Sequence, residues 1–192
     1  MAAAAGAFPP VFRKGRLGRF AALAATAAAM AGCVAPPAAS EATSPATLAD
    51  RLPPVAAGFV RGESRPAASV AGQEVAYSTE RGRATAAANV ELLADASEPA
   101  PALDQALAEA VRAGPAREVR EAGRFAVAPA GGAPLLCAET TGRYGRERVS
   151  GLLCTGRSGG ALVRIRVAMP VRLAPPADPR AFAAAIAVAL RG

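Results

Sequence analysis

The stretch Tyr144-Gly145-Arg146-Glu147 constrains the fold more than any other part of the sequence. Glycine at the first central position of a two-residue loop suits a type II′ turn, whose twist matches that of the strands it joins. If the chain reverses there, residues whose numbers sum to 291 face each other, and Cys137 and Cys154 meet that condition. Pairs alternate outward from Tyr144 and Glu147, which form a hydrogen-bonded pair. Cys137 and Cys154 then fall on a non-hydrogen-bonded pair, with Cα atoms about 4.5 Å apart. That spacing lies near the lower end of the range a disulfide tolerates. The register predicts an antiparallel hairpin pinned by a structural disulfide. The competing reading is two reduced, buried cysteines. No C-x-x-C spacing exists to make the pair redox-active.

Flanking segments extend this hairpin into a sheet. Short strands are expected at Gly58–Ser64 and Val75–Thr79. A longer one runs over Ala84–Leu93, with Ala86, Ala88, Val90 and Leu92 on one face. Glu118–Ala128 also reads as a strand. In the stretch beginning at Ala161, Val163, Ile165, Val167, Met169 and Val171 share a face, and Arg164, Arg166 and Arg172 lie on the other. Two helices are expected. One follows Pro99 and Pro101, carries Leu103, Leu107 and Val111 every four residues, and stops at Gly114-Pro115. The other closes the chain, with Asp178 as N-cap, Pro179 at the first helical position and a stripe of Phe182, Ile186 and Leu190. The expected fold is a single α+β domain: an antiparallel sheet of about 6–7 strands covered by two helices. The order of elements resembles that of PsbP-like domains, in which helices cover a central antiparallel sheet. That resemblance is architectural, spans about 140 residues and carries no signature motif. It does not assign a function.

The first 33 residues carry an address. Arg13, Lys14, Arg16 and Arg19 precede an apolar run, Phe20–Met30, which is too short to span a bilayer as a helix. A basic segment, a short apolar run and small residues fit an export signal. Met30-Ala31-Gly32-Cys33 resembles the lipobox of bacterial lipoproteins, with Met30 where leucine is commonest. That resemblance implies cleavage before Cys33, a diacylglycerol thioether on its sulfur and acylation of the new amino group. An ordinary signal peptidase cutting after Ala31 is the alternative. The residue after the cysteine is Val34 and not Asp, which by the enterobacterial sorting rule implies an outer-membrane location facing the periplasm. Two or three acyl chains hold a protein durably to a bilayer, where one chain does not. Three cysteines are an odd count for an exported protein, and lipid on Cys33 leaves Cys137 and Cys154 as a pair. Export also supplies the oxidising compartment in which a disulfide persists. The expected organisation is a signal peptide over 1–32, a lipid-anchored tether rich in Ala, Pro and Ser over 33–51, and the α+β domain over 52–192.

Composition narrows the chemistry. The chain has no histidine and no tryptophan, and its one lysine, Lys14, lies in the leader. A Ser-His-Asp triad, a Ser-Lys dyad, a Schiff-base lysine and a Walker A loop are therefore excluded from the exported chain. Zinc sites built on histidine are excluded as well, no calcium-loop spacing is present, and no metal or other cofactor is expected. Carboxylates remain: Glu118, Glu121, Glu139 and Glu147 could support a carboxylate-dependent hydrolase, although nothing in the spacing fixes a catalytic separation. The formal charge is +7, of which the leader holds four units. The mild excess left is not blocked into a basic stripe, so a nucleic-acid partner is not expected. The positive feature is arginine: Arg164, Arg166 and Arg172 on a sheet face, and Arg143, Arg146 and Arg148 in the hairpin. These six residues are candidates for binding an anionic lipid or glycan of the envelope. Gly131-Gly132 and Gly159-Gly160 read as loop glycines. The function expected from sequence is a non-enzymatic envelope lipoprotein, an accessory or binding module that meets the membrane through its anchor and an envelope component or protein through its domain.

Overall fold

The structure, a computed structural model, describes residues 43–191 apart from 69, 80–85, 114–115, 131–133 and 172–176. The leader, Cys33, most of the expected tether, Gly131-Gly132 and Arg172 lie outside the described residues. The elements run α1 (Pro45–Asp50), β1 (Val55–Ala56), β2 (Phe59–Pro66), β3 (Gly72–Thr79), β4 (Ala87–Leu93), α2 (Pro99–Ala113), β5 (Arg117–Val127), β6 (Leu135–Tyr144), β7 (Glu147–Ser158), β8 (Ala161–Pro170) and α3 (Pro179–Ala189). All eight strands join one antiparallel sheet in the order β1-β2-β3-β4-β8-β7-β6-β5. The α+β class holds, with more strands than expected and a third helix.

The hairpin forms in the expected register. Tyr144 pairs with Glu147 and Cys137 with Cys154. Gly145 has φ 59°, while Arg146 keeps a negative φ, as a type II′ turn requires. The disulfide is formed, with Cα atoms 4.1 Å apart. The sulfurs sit in the main core, in a row of directly opposed residues running Phe125, Cys137, Cys154, Ile165, Val90 and Val75 across six strands.

Period-two alternation assigns the two faces. Leu152 and Cys154 of β7 join the main core, and Leu153 between them joins a second cluster with Leu103, Ala106 and Leu107 of α2. Helix α2 therefore packs on one face, against β5, β6 and β7, and α1 and α3 pack on the other. Helix α3 touches β1, β5 and β7, so the sheet curls until both of its edge strands reach one helix. Its Phe182 is fully buried, with ring centroids 4.9 Å from Phe59 and 5.1 Å from Tyr77. Three of the five aromatics beyond Cys33 thus meet at one point, and such ring contacts add stability beyond the area they bury. The Tyr77 hydroxyl donates to the Pro53 carbonyl at 2.8 Å. Burial pushes its phenol up to about 12, with nearby Arg61 opposing the shift.

Three details depart from the sequence reading. Residues 45–50, assigned to the tether, form α1, and its Leu48 and Ala49 are buried in the core. Pro45 sits at the first helical position, and the Ser44 hydroxyl accepts from the Thr47 amide at 3.1 Å. Val111 is not part of the buried stripe of α2 but is 57% exposed. A four-residue repeat overshoots a full turn, so over eight residues the side chain rotates about 80° from the contact line. Ala106, with the partly buried Ala110, fills that line in its place. Val171 lies beyond β8 and is exposed, because the ladder ends where Pro170 pairs with Val149.

Candidate functional site

The two described arginines of the predicted sheet face already have partners in this chain. In β8, Arg164 and Arg166 alternate with the buried Val163, Ile165 and Val167, which turns them toward α2. Glu91 of β4 stands directly opposite Arg164, and their side chains approach to 3.5 Å. Glu109 of α2 reaches down to Arg164 at 3.0 Å and to Arg166 at 3.7 Å. Arg164 keeps only 17% of its side chain exposed. The same row continues through Glu74 of β3 to Arg65 of β2, paired at 3.0 Å. The order Arg65, Glu74, Glu91, Arg164 sets two acids side by side and flanks them with two arginines, which offsets their repulsion.

Glu109 is the hinge of this network. Burial raises its carboxyl, but hydrogen bonds from Gln105 and Arg164 and the charges of Arg164 and Arg166 outweigh that and hold it below the usual range. A polar cleft of about 200 Å³ opens here between α2, β4 and β8, lined by Glu91, Asp95, Gln105, Glu109 and Arg164 among others. Arg157 fastens the start of α2 by donating to the carbonyls of Asp95, Ser97 and Gly160. These contacts join α2 to the sheet, and an anion arriving at Arg164 would have to displace two carboxylates.

The hairpin arginines are placed differently. Arg143, Arg146 and Arg148 are all exposed at the far end of β6 and β7. Arg143 and Arg148 are directly opposed in the ladder, and the backbone register sets Arg117 opposite Arg143. Among the described residues, no ion pair engages Arg143, Arg146 or Arg148. Tyr144 between them is 63% exposed, and Val171 is 44% exposed. Arg146, Glu147, Arg148 and Val171 line one shallow cleft.

Of the carboxylates considered for hydrolysis, Glu139 and Glu121 are held in ion pairs with arginines. Glu139 accepts from Arg180 of α3 at 2.7 Å, and Arg180 also lies over the Phe125 ring, 4.4 Å from its centroid. The hydrogen bond from Arg180 holds the Glu139 carboxyl below its ordinary value. Glu121 accepts from Arg124 at 2.6 Å and is lowered in the same way, while Arg124 also reaches Asp104 of α2 at 2.8 Å. Both acids stay ionised at neutral pH, unlike a general acid, whose pKa must be raised. Glu118 is exposed, and Glu147 is half-buried in the hairpin. Among the described residues, no group of three or more Cys, Asp or Glu side chains is placed to hold a metal ion.

A feature not foreseen from sequence is a small apolar groove of about 100 Å³ beside the end of α2, lined by Ala110, Val119, Gly142, Val149, Leu153 and Ala168 among others. Gly159-Gly160 forms the two-residue turn between β7 and β8, with φ 54° and 86°. The turn also lets Thr43 approach so closely that a Cβ on Gly159 would lie 2.9 Å from it. No described helix is long and apolar enough to cross a membrane. Compared with known proteins, the chain matches no family, and no curated protein or solved structure shows significant similarity to it.

Proposed function

We propose that this chain is a lipid-anchored protein of the bacterial envelope, held at the outer membrane through Cys33 and facing the periplasm, and that it works as a non-enzymatic accessory or binding module. The observation that carries this reading is the Cys137–Cys154 disulfide. Such bonds persist in oxidising compartments outside the cytosol. Of the three cysteines, the bond takes two and leaves Cys33, at the end of the lipobox-like segment, as the one sulfur to receive lipid. The reading of the domain as a binder and not a catalyst rests on its side chains. The chain beyond the leader has neither histidine nor lysine, and Glu139 and Glu121 are held ionised by Arg180 and Arg124.

Intact-mass analysis of the protein extracted from membranes tests the assignment. The expected product lacks residues 1–32, carries the mass of two or three acyl chains, and is two hydrogens lighter for the disulfide. A Cys33→Ser variant is expected to leave the membrane or to stay unprocessed. A full-length, unacylated product with three free thiols would overturn the reading, as would a processed Cys33→Ser variant that stays membrane-bound.

A further inference from the structure

The structure separates the arginines that the sequence grouped together. Arg164 and Arg166 meet Glu91 and Glu109 inside the chain, whereas Arg143, Arg146 and Arg148 crowd an exposed tip. Like charges directly opposed across two strands cost stability, and Arg143 faces Arg148 in the ladder. Glu147 is the only acid between Gly142 and Val149. An external anion would offset the repulsion, and arginine binds phosphate oxygens with paired, charge-assisted hydrogen bonds.

The tip also carries apolar surface. Tyr144, which alternation turns to the face opposite Arg143 and Arg148, is largely exposed, and Val171 adjoins Arg146 and Arg148 in the shallow cleft that Glu147 also lines. A free phosphate ion makes no use of either. A bilayer surface uses both, since tyrosine settles at the headgroup level beside cations that hold the phosphates.

We propose that the tip of the β6–β7 hairpin docks onto the anionic phospholipid headgroups of the bilayer, as a contact in addition to any lipid on Cys33. The described chain begins at Thr43, packed against the β7–β8 turn at Gly159. The basic tip lies at the other end of β7, eleven residue steps away from Ser158 to Glu147 and therefore about 36 Å distant. The tether keeps the tip close to the surface, so weak docking suffices. The anchor in this inference rests on the reading above, and the docking does not: mass analysis reports the lipid, and the experiment below reports the tip.

The protein supplies its own probe. It has no tryptophan and two tyrosines, and Tyr77 is buried against Phe182. Fluorescence open to a soluble quencher such as acrylamide therefore comes from Tyr144. The membrane-extracted full chain is reconstituted into vesicles of phosphatidylcholine alone or with phosphatidylglycerol. Phosphatidylglycerol is expected to reduce quenching of Tyr144 several-fold, and 0.5 M salt is expected to reverse it. Each arginine near an anionic surface contributes roughly fivefold, so Arg143→Ser/Arg146→Ser/Arg148→Ser should weaken docking on the order of 100-fold and remove the shielding. The shielded signal of Tyr77 checks that the variant is folded. Equal quenching in both vesicle types would overturn the proposal, and so would shielding that survives in the triple variant. Shielding by millimolar inorganic phosphate or by a soluble anionic glycan over phosphatidylcholine vesicles would overturn it in favour of that ligand.

Discussion

Leu48 is the sharpest test of where the folded domain begins. Composition assigns it to a tether, in which Leu48→Ala would cost nothing. The structure makes it fully buried, on a six-residue helix packed against β3 and β4. Three carbon atoms are lost in the substitution. At about 0.8 kcal/mol for each buried methylene, the transfer loss is roughly 2.4 kcal/mol. If the surroundings close only partly, a residual cavity of roughly 40 Å³ adds about 1 kcal/mol. The expected destabilisation is therefore about 3–4 kcal/mol. The assay is urea unfolding of the full chain followed by far-ultraviolet circular dichroism, with Val55→Ala as control because Val55 is 60% exposed. With urea slopes of about 1–3 kcal/mol/M, the midpoint should fall by more than about 1 M at unchanged slope. The control should stay within about 0.5 kcal/mol of the parent. A helix of six residues has no stability of its own, so α1 holds only through this packing. If Leu48→Ala unfolds at the same urea concentration as Val55→Ala, α1 does not belong to the cooperative core and the reasoning fails.

Reducing the disulfide should destabilise the protein by about 3 kcal/mol, the chain-entropy value for a loop of 17 residues, with a fall in melting temperature on the order of 6–12 °C. Identical melting of the oxidised and reduced forms would refute that role. Glu109→Gln should weaken the seating of α2 by about 1 kcal/mol, read by calorimetry at neutral pH. Because the Glu109 carboxyl is lowered in the folded state, its contribution is present above the ordinary carboxylate value of 4.5 and is lost as pH falls below it. The difference between parent and variant should therefore shrink toward pH 3, and a constant difference would contradict the assignment. In a Tyr144→Phe variant, ultraviolet titration should show Tyr77 ionising near pH 12. The unfolded chain ionises at about 10, so stability falls as pH rises above that value; a midpoint near 10 with the fold intact would count against burial of the phenol.

Local rules carried the reading of sequence a long way. The register of β6 and β7 was legible because a two-residue turn with glycine at its first position fixes every pair beyond it. The face of β8 was legible because alternation has a period of two, and α3 because Asp178 accepts from the amides of Arg180 and Ala181 beside Pro179. The start of the domain was not legible. Pro45–Asp50 has the composition of a linker, and one buried leucine gives no periodicity. The extra strand β1 has two residues and shows no pattern of its own.

The candidate site divided along the same line. Sequence supplied the arginines but not their partners, since Glu91 and Glu109 lie 73 and 55 residues from Arg164 along the chain. Charge composition is blind to which acid meets which base. By itself, then, the sequence determined the α+β class, helices α2 and α3, the hairpin and its disulfide, and the chemistry excluded by lacking histidine. The tertiary structure decided which arginines are neutralised beneath α2 and which lie exposed at the hairpin tip. The physical reason is range: turns, caps and alternation act between neighbours in the chain, whereas an ion pair forms between whatever groups the curled sheet and its helices bring within a few ångströms.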